Sequence, residues 1–208
     1  NTLSRKEKIM DRFLKTAAKA LKGETPLYVA RGNHEMRGRD AIRWIDCFAT
    51  PTGETYYSFT VGTNFFIVLD SYEDKPDDDI NYNGKLVTEP FWKKESQWLR
   101  SVLDSEECRN AERRIVFCHI PPDRKGWHGN RNVSECFVPL LNEAKVDMMF
   151  SAHIHKWALY PAGDSGTGAS FPIVVNPNRE RMEVTLCPDT VEIRTFSPDG
   201  KCTHSHRF

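Results

Sequence analysis

No run of about 18 consecutive apolar residues occurs in the 208-residue chain, which excludes a membrane-spanning helix. Charge of one sign is not in excess either: 29 Lys and Arg face 29 Asp and Glu, for a formal net charge of zero. A nucleic-acid binder that relies on a basic surface is therefore disfavoured. The six cysteines, Cys47, Cys108, Cys118, Cys136, Cys187 and Cys202, form no Cys-x-x-Cys pair, which argues against a zinc ribbon and against a dense disulfide framework. The glycine-rich stretch 163–170 contains no Gly-Lys-Ser/Thr and leads into no helix, so it reads as a flexible hairpin and not as a phosphate-cradling loop. The opening residues do not read as a secretory leader. The chain starts at Asn1 in place of Met, the mark of a processed product or of part of a longer chain, and no compartment can be assigned from it. Repeats, low-complexity tracts and linkers are also missing. With 39% hydrophobic and 11% aromatic residues, the expectation is a single domain over 1–208, in which 177–208 supply antiparallel strands.

What is present alternates between two periodicities. Ser4 and Glu7 form a capping-box pattern, and Met10, Phe13, Leu14, Ala17 and Leu21 follow at helical spacing up to Gly23, predicting a helix over about 5–22. Leu27 to Ala30 is a short apolar run of strand length. Tyr56 to Val61 and Phe65 to Leu69 flank Gly62-Thr63-Asn64 and predict an antiparallel hairpin. The polar stretch from Ser71 to Pro90 predicts an excursion over the surface. Helices are expected at 91–103 and 133–144 and strands at 115–118, 146–150, 157–160, 171–176, 182–187 and 191–196. Asn132-Val133-Ser134 is a formal glycosylation sequon, a pattern that arises often by chance. Helix and strand alternate first and strands then dominate, which is the signature of a layered α/β architecture with an antiparallel end.

Three of the apolar strands end in polar clusters: Asn33-His34-Glu35, His119, and His153 with His155. In α/β sheets ligands bind outside the carboxyl ends of the strands, so these clusters can converge although they lie far apart in the chain. His153 and His155 are two residues apart, and in extended backbone they would point to the same side and address one metal or two adjacent metals. Asn33 adds a neutral oxygen donor. The second His-x-His, His204-Ser205-His206, sits among polar residues and reads as a solvated strand end. Arg37 and Arg39 could contact a phosphate, since a guanidinium matches phosphate oxygens bidentately, or could be solvated loop charges. Asp123, Arg124, Trp127 and His128 follow His119 on a loop and suit either a substrate pocket or a plain surface.

Gly32-Asn33-His34-Glu35, His119 before Ile120-Pro121, and Ala152-His153-Ile154-His155, in that order, resemble the calcineurin-like metallophosphoesterase family. Tyr56-Tyr57-Ser58-Phe59 ahead of Phe66-Ile67-Val68-Leu69-Asp70, and later Gln97-Trp98-Leu99, resemble its purple-acid-phosphatase-like branch. The resemblance implies a four-layer α-β-β-α sandwich and hydrolysis of a phosphate mono- or diester. It makes Asn33, His119 and His153 ligands of one divalent ion and His155 a ligand of a second, with Mn, Fe or Zn all compatible with such donors. It makes His34 the general acid at the leaving group and Glu35 the residue that orients it; Arg37, Asp123 and His128, from their place near these motifs, are the candidates for contact with a phosphorylated substrate.

Two departures from the family pattern stand out. Ala152 replaces a glycine, and neither the Asp-x-His nor the Gly-Asp motif occurs before Asn33. The expectation is thus a fold truncated at its N-terminus, holding two ions in an intact family site and one or none here. Asp70 and Asp123 are weak substitutes, Asp70 because it ends a strand that the family does not use for ligands. The rival expectation is a non-catalytic pseudo-phosphatase that folds and self-associates through an exposed sheet edge. A structural site built from His119, His153, His155 and Cys118 fails, because alternation along the strand sends Cys118 and His119 to opposite faces.

Overall fold

The computed structural model describes residues 10–37, 40–82 and 87–208. The predicted capping box at Ser4 and Glu7, the first residues of the predicted helix, and Arg39 lie outside them. Its frame is a six-stranded sheet in the order β1-β2-β3-β4-β6-β5, made of β1 (Tyr57–Val61), β2 (Asn64–Leu69), β3 (Arg113–Cys118), β4 (Met148–Ser151), β5 (Ala158–Tyr160) and β6 (Ile173–Val175). β2, β3, β4 and β6 run parallel, while β1 and β5 are antiparallel edges. The predicted hairpin is present: Val61 pairs with Asn64 across Gly62-Thr63, and Gly62 takes the positive φ (60°) that such a tight turn needs.

Period-2 alternation assigns the two faces of this sheet. Phe65, Ile67, Leu69, Val116, Cys118, Met149 and Ile173 are buried on one face. They meet α2 (Glu89–Leu103), α4 (His128–Cys136) and α5 (Val138–Glu143), with the short α3 (Glu106–Asn110) alongside. In α2, Trp92, Glu95, Leu99 and Leu103 recur at helical spacing and are the buried stripe. The single helix predicted over 133–144 is two helices, because Pro139 has no amide hydrogen to offer and its ring excludes a continuous helix through Phe137. The sequon is ruled out as a surface feature, since Val133 and Ser134 are buried within α4.

Ile115, Met148, Phe150 and Val174 on the opposite face pack with Val191 and Ile193 of a separate antiparallel sheet, β7 (Arg181–Leu186), β8 (Val191–Phe196) and β9 (Cys202–Arg207). Two facing sheets with a helical layer over the larger one are therefore in place, and the outer side of the smaller sheet is exposed along β7 and β9. The tail that reads as a solvated strand end is β9, where His204 stacks on Trp157 at 4.5 Å. No helix among the described residues is long and apolar enough to cross a membrane.

Two expectations are corrected. Residues 27–30 are extended but join no ladder; Leu27 and Tyr28 are exposed, and the Tyr57 hydroxyl takes the place of a neighbouring strand by accepting from Val29 N (2.8 Å) and donating to Val29 O (3.2 Å). The excursion predicted from Ser71 begins in the interior, since Ser71, Tyr72, Glu73 and Asp74 are all buried. The helix before Gly23 is a π-helical turn, Met10–Leu14, followed by the seven-residue α1 (Lys15–Leu21), which buries none of its side chains.

Tyr57→Phe removes the only strand-like partner of Val29 among the described residues. A loss of about 1–2 kcal/mol in urea unfolding is expected, with faster amide exchange at residues 27–31 than at β2.

Candidate active site

Parallel β2, β3 and β4 all end at one rim, and each releases a polar segment there. After β3 comes His119, and after β4 come His153 and His155. The extended stretch 27–32 delivers the 3-10 turn Asn33–Met36 beside them. Asn33 is buried, and its Oδ1 lies 3.2 Å from His119 Nε2. The His119 and His153 rings meet edge to face at 5.2 Å. His34 is half-buried, with Nδ1 lacking a partner. His155 is exposed, yet close enough to His119 and His153 to disfavour their protonation.

The backbone that presents the two histidines is not the extended chain predicted. β4 stops at Ser151, Ile154 N donates to Ala152 O at 2.7 Å, and His153 and His155 both adopt left-handed conformations with φ of 64° and 59°. Such conformations cost about 1–3 kcal/mol for a non-glycine residue and tend to collect at functional sites. Ala152, in the family's glycine position, is not left-handed.

Close packing seats the turn before Asn33. A Cβ on Gly32 would lie 2.9 Å from Glu35 Oε2 and 3.1 Å from the His119 ring, so only glycine fits without displacing one of them. The Glu35 carboxylate accepts from Gly32 N at 3.1 Å and closes the turn on itself. Burial raises the Glu35 carboxyl above its ordinary value.

The electrostatics of the cluster are those of imidazoles kept neutral. Burial, then the neighbouring His153, His34 and His155, bring His119 down to about 4. Burial and then the Arg37 guanidinium lower His34, and burial followed by His155 lowers His153. Neutral imidazole is the form that donates a lone pair to a metal.

A divalent ion fits part of this set. Two donors held at about 2.0–2.2 Å from one ion sit roughly 3–3.5 Å apart, the separation found between Asn33 Oδ1 and His119 Nε2. The Asn33 amide nitrogen has no protein partner. Among the described residues, however, no three His, Cys, Asp or Glu side chains are gathered tightly enough to hold an ion.

Sequence reasoning missed the acidic side of the site. Glu73 and Asp74 follow β2 and face the histidines: Asp74 Oδ2 lies 3.9 Å from His153 Nε2. Both carboxylates grip Arg37, whose Nη2 is 2.6 Å from Glu73 Oε1 and 2.9 Å from Asp74 Oδ1, and the Tyr82 hydroxyl donates to Glu73. The available signal was position, since residues 70–74 stand at the carboxyl end of a parallel strand just as His119 does. Arg37 is thus committed to carboxylates. Asp123 is turned to its own loop, accepting from Lys125 N at 2.9 Å. His128 contacts Asn132 at 2.9 Å and lines a separate cavity of about 260 Å³ with Trp92 and Cys136, away from the histidines.

Asp70 is no metal ligand in this arrangement. Fully buried, it receives Arg31 Nε at 2.7 Å and Nη2 at 2.5 Å, Thr55 Oγ1 at 2.5 Å and Tyr72 N at 2.9 Å. Its own N–H donates to Glu95 Oε1 at 2.8 Å. Burial, and then the charge of Asp70, push Glu95 well above the carboxylate range. On the other side of His119, a cleft of about 350 Å³ opens between the two sheets, lined by Ala30, Ser151, Asn176, Met182 and Val184. Ser151 Oγ and Asn176 Oδ1, both in its wall, have no partner.

The calcineurin-like phosphoesterase family model matches residues 4–157. The chain is similar to the serine/threonine-protein phosphatase CPPED1 of Mus musculus, with 27% identity over 173 residues, covering 79% of this chain and 51% of that protein. It is also similar to Purple acid phosphatase 23 of Arabidopsis thaliana, with 25% identity over 66% of this chain and 30% of that protein. Among solved structures, purple acid phosphatase PPD1 from yellow lupin seeds shares the fold at a TM-score of 0.56 and 14% identity, over 85% of this chain and 37% of that one. The chain spans about half the length of the curated CPPED1 relatives it matches.

Two outcomes test the buried network. Asp70→Asn leaves Arg31 without its counter-charge in a largely buried position and should cost about 3–5 kcal/mol in urea unfolding. Glu95 keeps its proton in the folded state over a pH range where the unfolded chain has released it, so stability should fall as pH rises above the ordinary glutamate value, by about 1.4 kcal/mol per unit for as long as only the unfolded state is ionised. Glu95→Gln should shrink the difference between urea midpoints at pH 5 and pH 8.

Proposed function

The chain belongs to the calcineurin-like phosphoesterase family, and from that premise we propose that it carries the C-terminal part of a metal-dependent site that hydrolyses phosphate esters. The observation that carries this reading is the 3.2 Å approach of Asn33 Oδ1 to His119 Nε2, with the His153 ring against His119, at the carboxyl ends of parallel strands. In this reading Asn33, His119 and His153 hold one divalent ion and His155 belongs to a second. Mn, Fe and Zn all suit such donors. Bound there, divalent ions supply charge that neutralises phosphoryl oxygens and acidifies water.

The chain's own residues do the rest. His34 lies next to the cluster with its Nδ1 unpartnered and is neutral in the free chain. A phosphate dianion beside it would favour its protonated form, which suits delivery of a proton to the leaving-group oxygen. Glu35 holds the Asn33–Met36 turn through Gly32 N and so orients His34. Arg37, held by Glu73 and Asp74, fixes the acidic wall behind His153. The substrate is a phosphorylated molecule; a phosphoserine or phosphothreonine ester is the one that the name of the CPPED1 relatives suggests.

The site needs further carboxylate donors, and we assign them to a segment beyond these 208 residues. The stretch 27–30, which joins no strand ladder, and the partnerless Ser151 Oγ and Asn176 Oδ1 beside the inter-sheet cleft support this assignment. The second reading, a non-catalytic chain that self-associates along that edge, is favoured by the lack of any three-residue His, Cys, Asp and Glu cluster among the described residues. Sedimentation as a strict monomer would count against self-association.

Elemental analysis after loading with Mn²⁺ or Zn²⁺ separates the two readings: a tightly retained ion, or two where the further donors are supplied, is expected for the first, and none or one weakly held for the second. His153→Ala should abolish retention. His34→Ala should keep the metal and lower turnover in the complete protein by about 10²-fold or more. Equal metal loss in both variants would overturn the division of roles.

A further inference from the structure

Of the large apolar side chains near the site, Trp127 is left 68% exposed, while Trp44 and Trp92 are 2% and 4% exposed. Single exposed aromatics are ordinary, but the loop that carries this one is fixed. Asn130, itself buried, donates from Nδ2 to Pro121 O at 2.7 Å and closes the loop at its base. Gly126 N donates to Asp123 O at 3.1 Å, and Arg124 N to Gly166 O at 2.8 Å. Two residues after the indole, Gly129 N donates to Asp74 O at 3.1 Å, and a Cβ on Gly129 would lie 2.8 Å from the Asp74 backbone.

The loop is therefore docked on the acidic wall of the site. Lys75 bridges the two, with Nζ 5.5 Å from the Trp127 ring centroid and 3.9 Å from Asp74 Oδ1, while Asp74 Oδ2 lies 3.9 Å from His153 Nε2. The histidines are thus linked to a solvent-exposed indole through Asp74 and Lys75. Arg37 takes no part in it, since two carboxylates occupy its guanidinium.

We infer that Trp127 and Lys75 form a specificity wall for a phosphate ester that carries a planar aromatic ring. The inference rests on the phosphoesterase reading above. An aromatic ring offset on the indole buries apolar area that is otherwise wet and aligns the two ring quadrupoles. The Lys75 ammonium lies over the Trp127 ring and favours an electron-rich or anionic group beside it. An ester without an aromatic ring gains neither contact. A phosphotyrosyl side chain, with its ring on the ester oxygen, and a nucleoside monophosphate, with its ring beyond the ribose, share the required chemistry.

The test is calorimetric titration of the Mn²⁺-supplied complete protein with inorganic phosphate, phosphoserine, phosphotyrosine and AMP, with indole emission followed in parallel. Both aromatic esters should bind about fivefold to tenfold more tightly than phosphoserine and quench emission, and the tighter of the two identifies the source of the ring. In Trp127→Ala the advantage should vanish, and Trp127→Phe should restore most of it. Equal affinity for aromatic and aliphatic esters, or an advantage that survives Trp127→Ala, overturns the inference while leaving the phosphoesterase reading intact. Failure of inorganic phosphate to bind defeats that reading and the inference together.

Discussion

Asp70, a carboxylate without solvent exposure, receives the Arg31 guanidinium, the Thr55 hydroxyl and the Tyr72 amide, and so ties together two segments that reach the site from different directions. Arg31 immediately precedes the Gly32–Glu35 turn, and Tyr72 immediately precedes Glu73 and Asp74. The neutral donors and the acidic wall are thereby registered to the same point, the end of β2. The charge is tolerable in the interior because every direction in which it would seek water holds a donor. Glu95 adds a fixed point from the helical layer, so that α2, β2 and both loops share one polar junction.

The fold was largely legible from the chain, for identifiable reasons. Period-2 alternation in β2 and β3 separates the helix-facing from the sheet-facing residues, and the Gly62-Thr63 turn leaves little freedom for the register of β1. What escaped was set by tertiary context. Leu27 to Ala30 carries strand chemistry but has no ladder, because its neighbour on one side is a tyrosine hydroxyl. Local pattern cannot distinguish a buried polar segment from a surface loop, so Ser71 to Asp74 passed as an excursion. The break at Phe137 was visible in Pro139 and was outweighed by the helical spacing of Phe137, Leu140 and Leu141.

The site divides in the same way. Asn33, His119 and His153 could be named as candidates because the motifs that carry them follow one another in the order that resembles the family's. Arg37 was weighed as a phosphate contact or a solvated loop charge, and neither reading foresaw Glu73 and Asp74, adjacent in sequence and buried in the fold, as its partners. His128 and Asp123 were chosen for closeness in sequence to His119, and the rigid loop turns the former into another cavity and the latter onto its own backbone.

The left-handed backbone at His153 and His155 restricts which residues can succeed them. Glycine, asparagine and aspartate tolerate that conformation best, whereas β-branched residues are nearly barred from it. Of the side chains that bind metals, then, the ones most readily admitted in place of these histidines carry oxygen. The shape of one turn, set by the chain that enters and leaves it, thus narrows the side chains that can stand at 153 and 155.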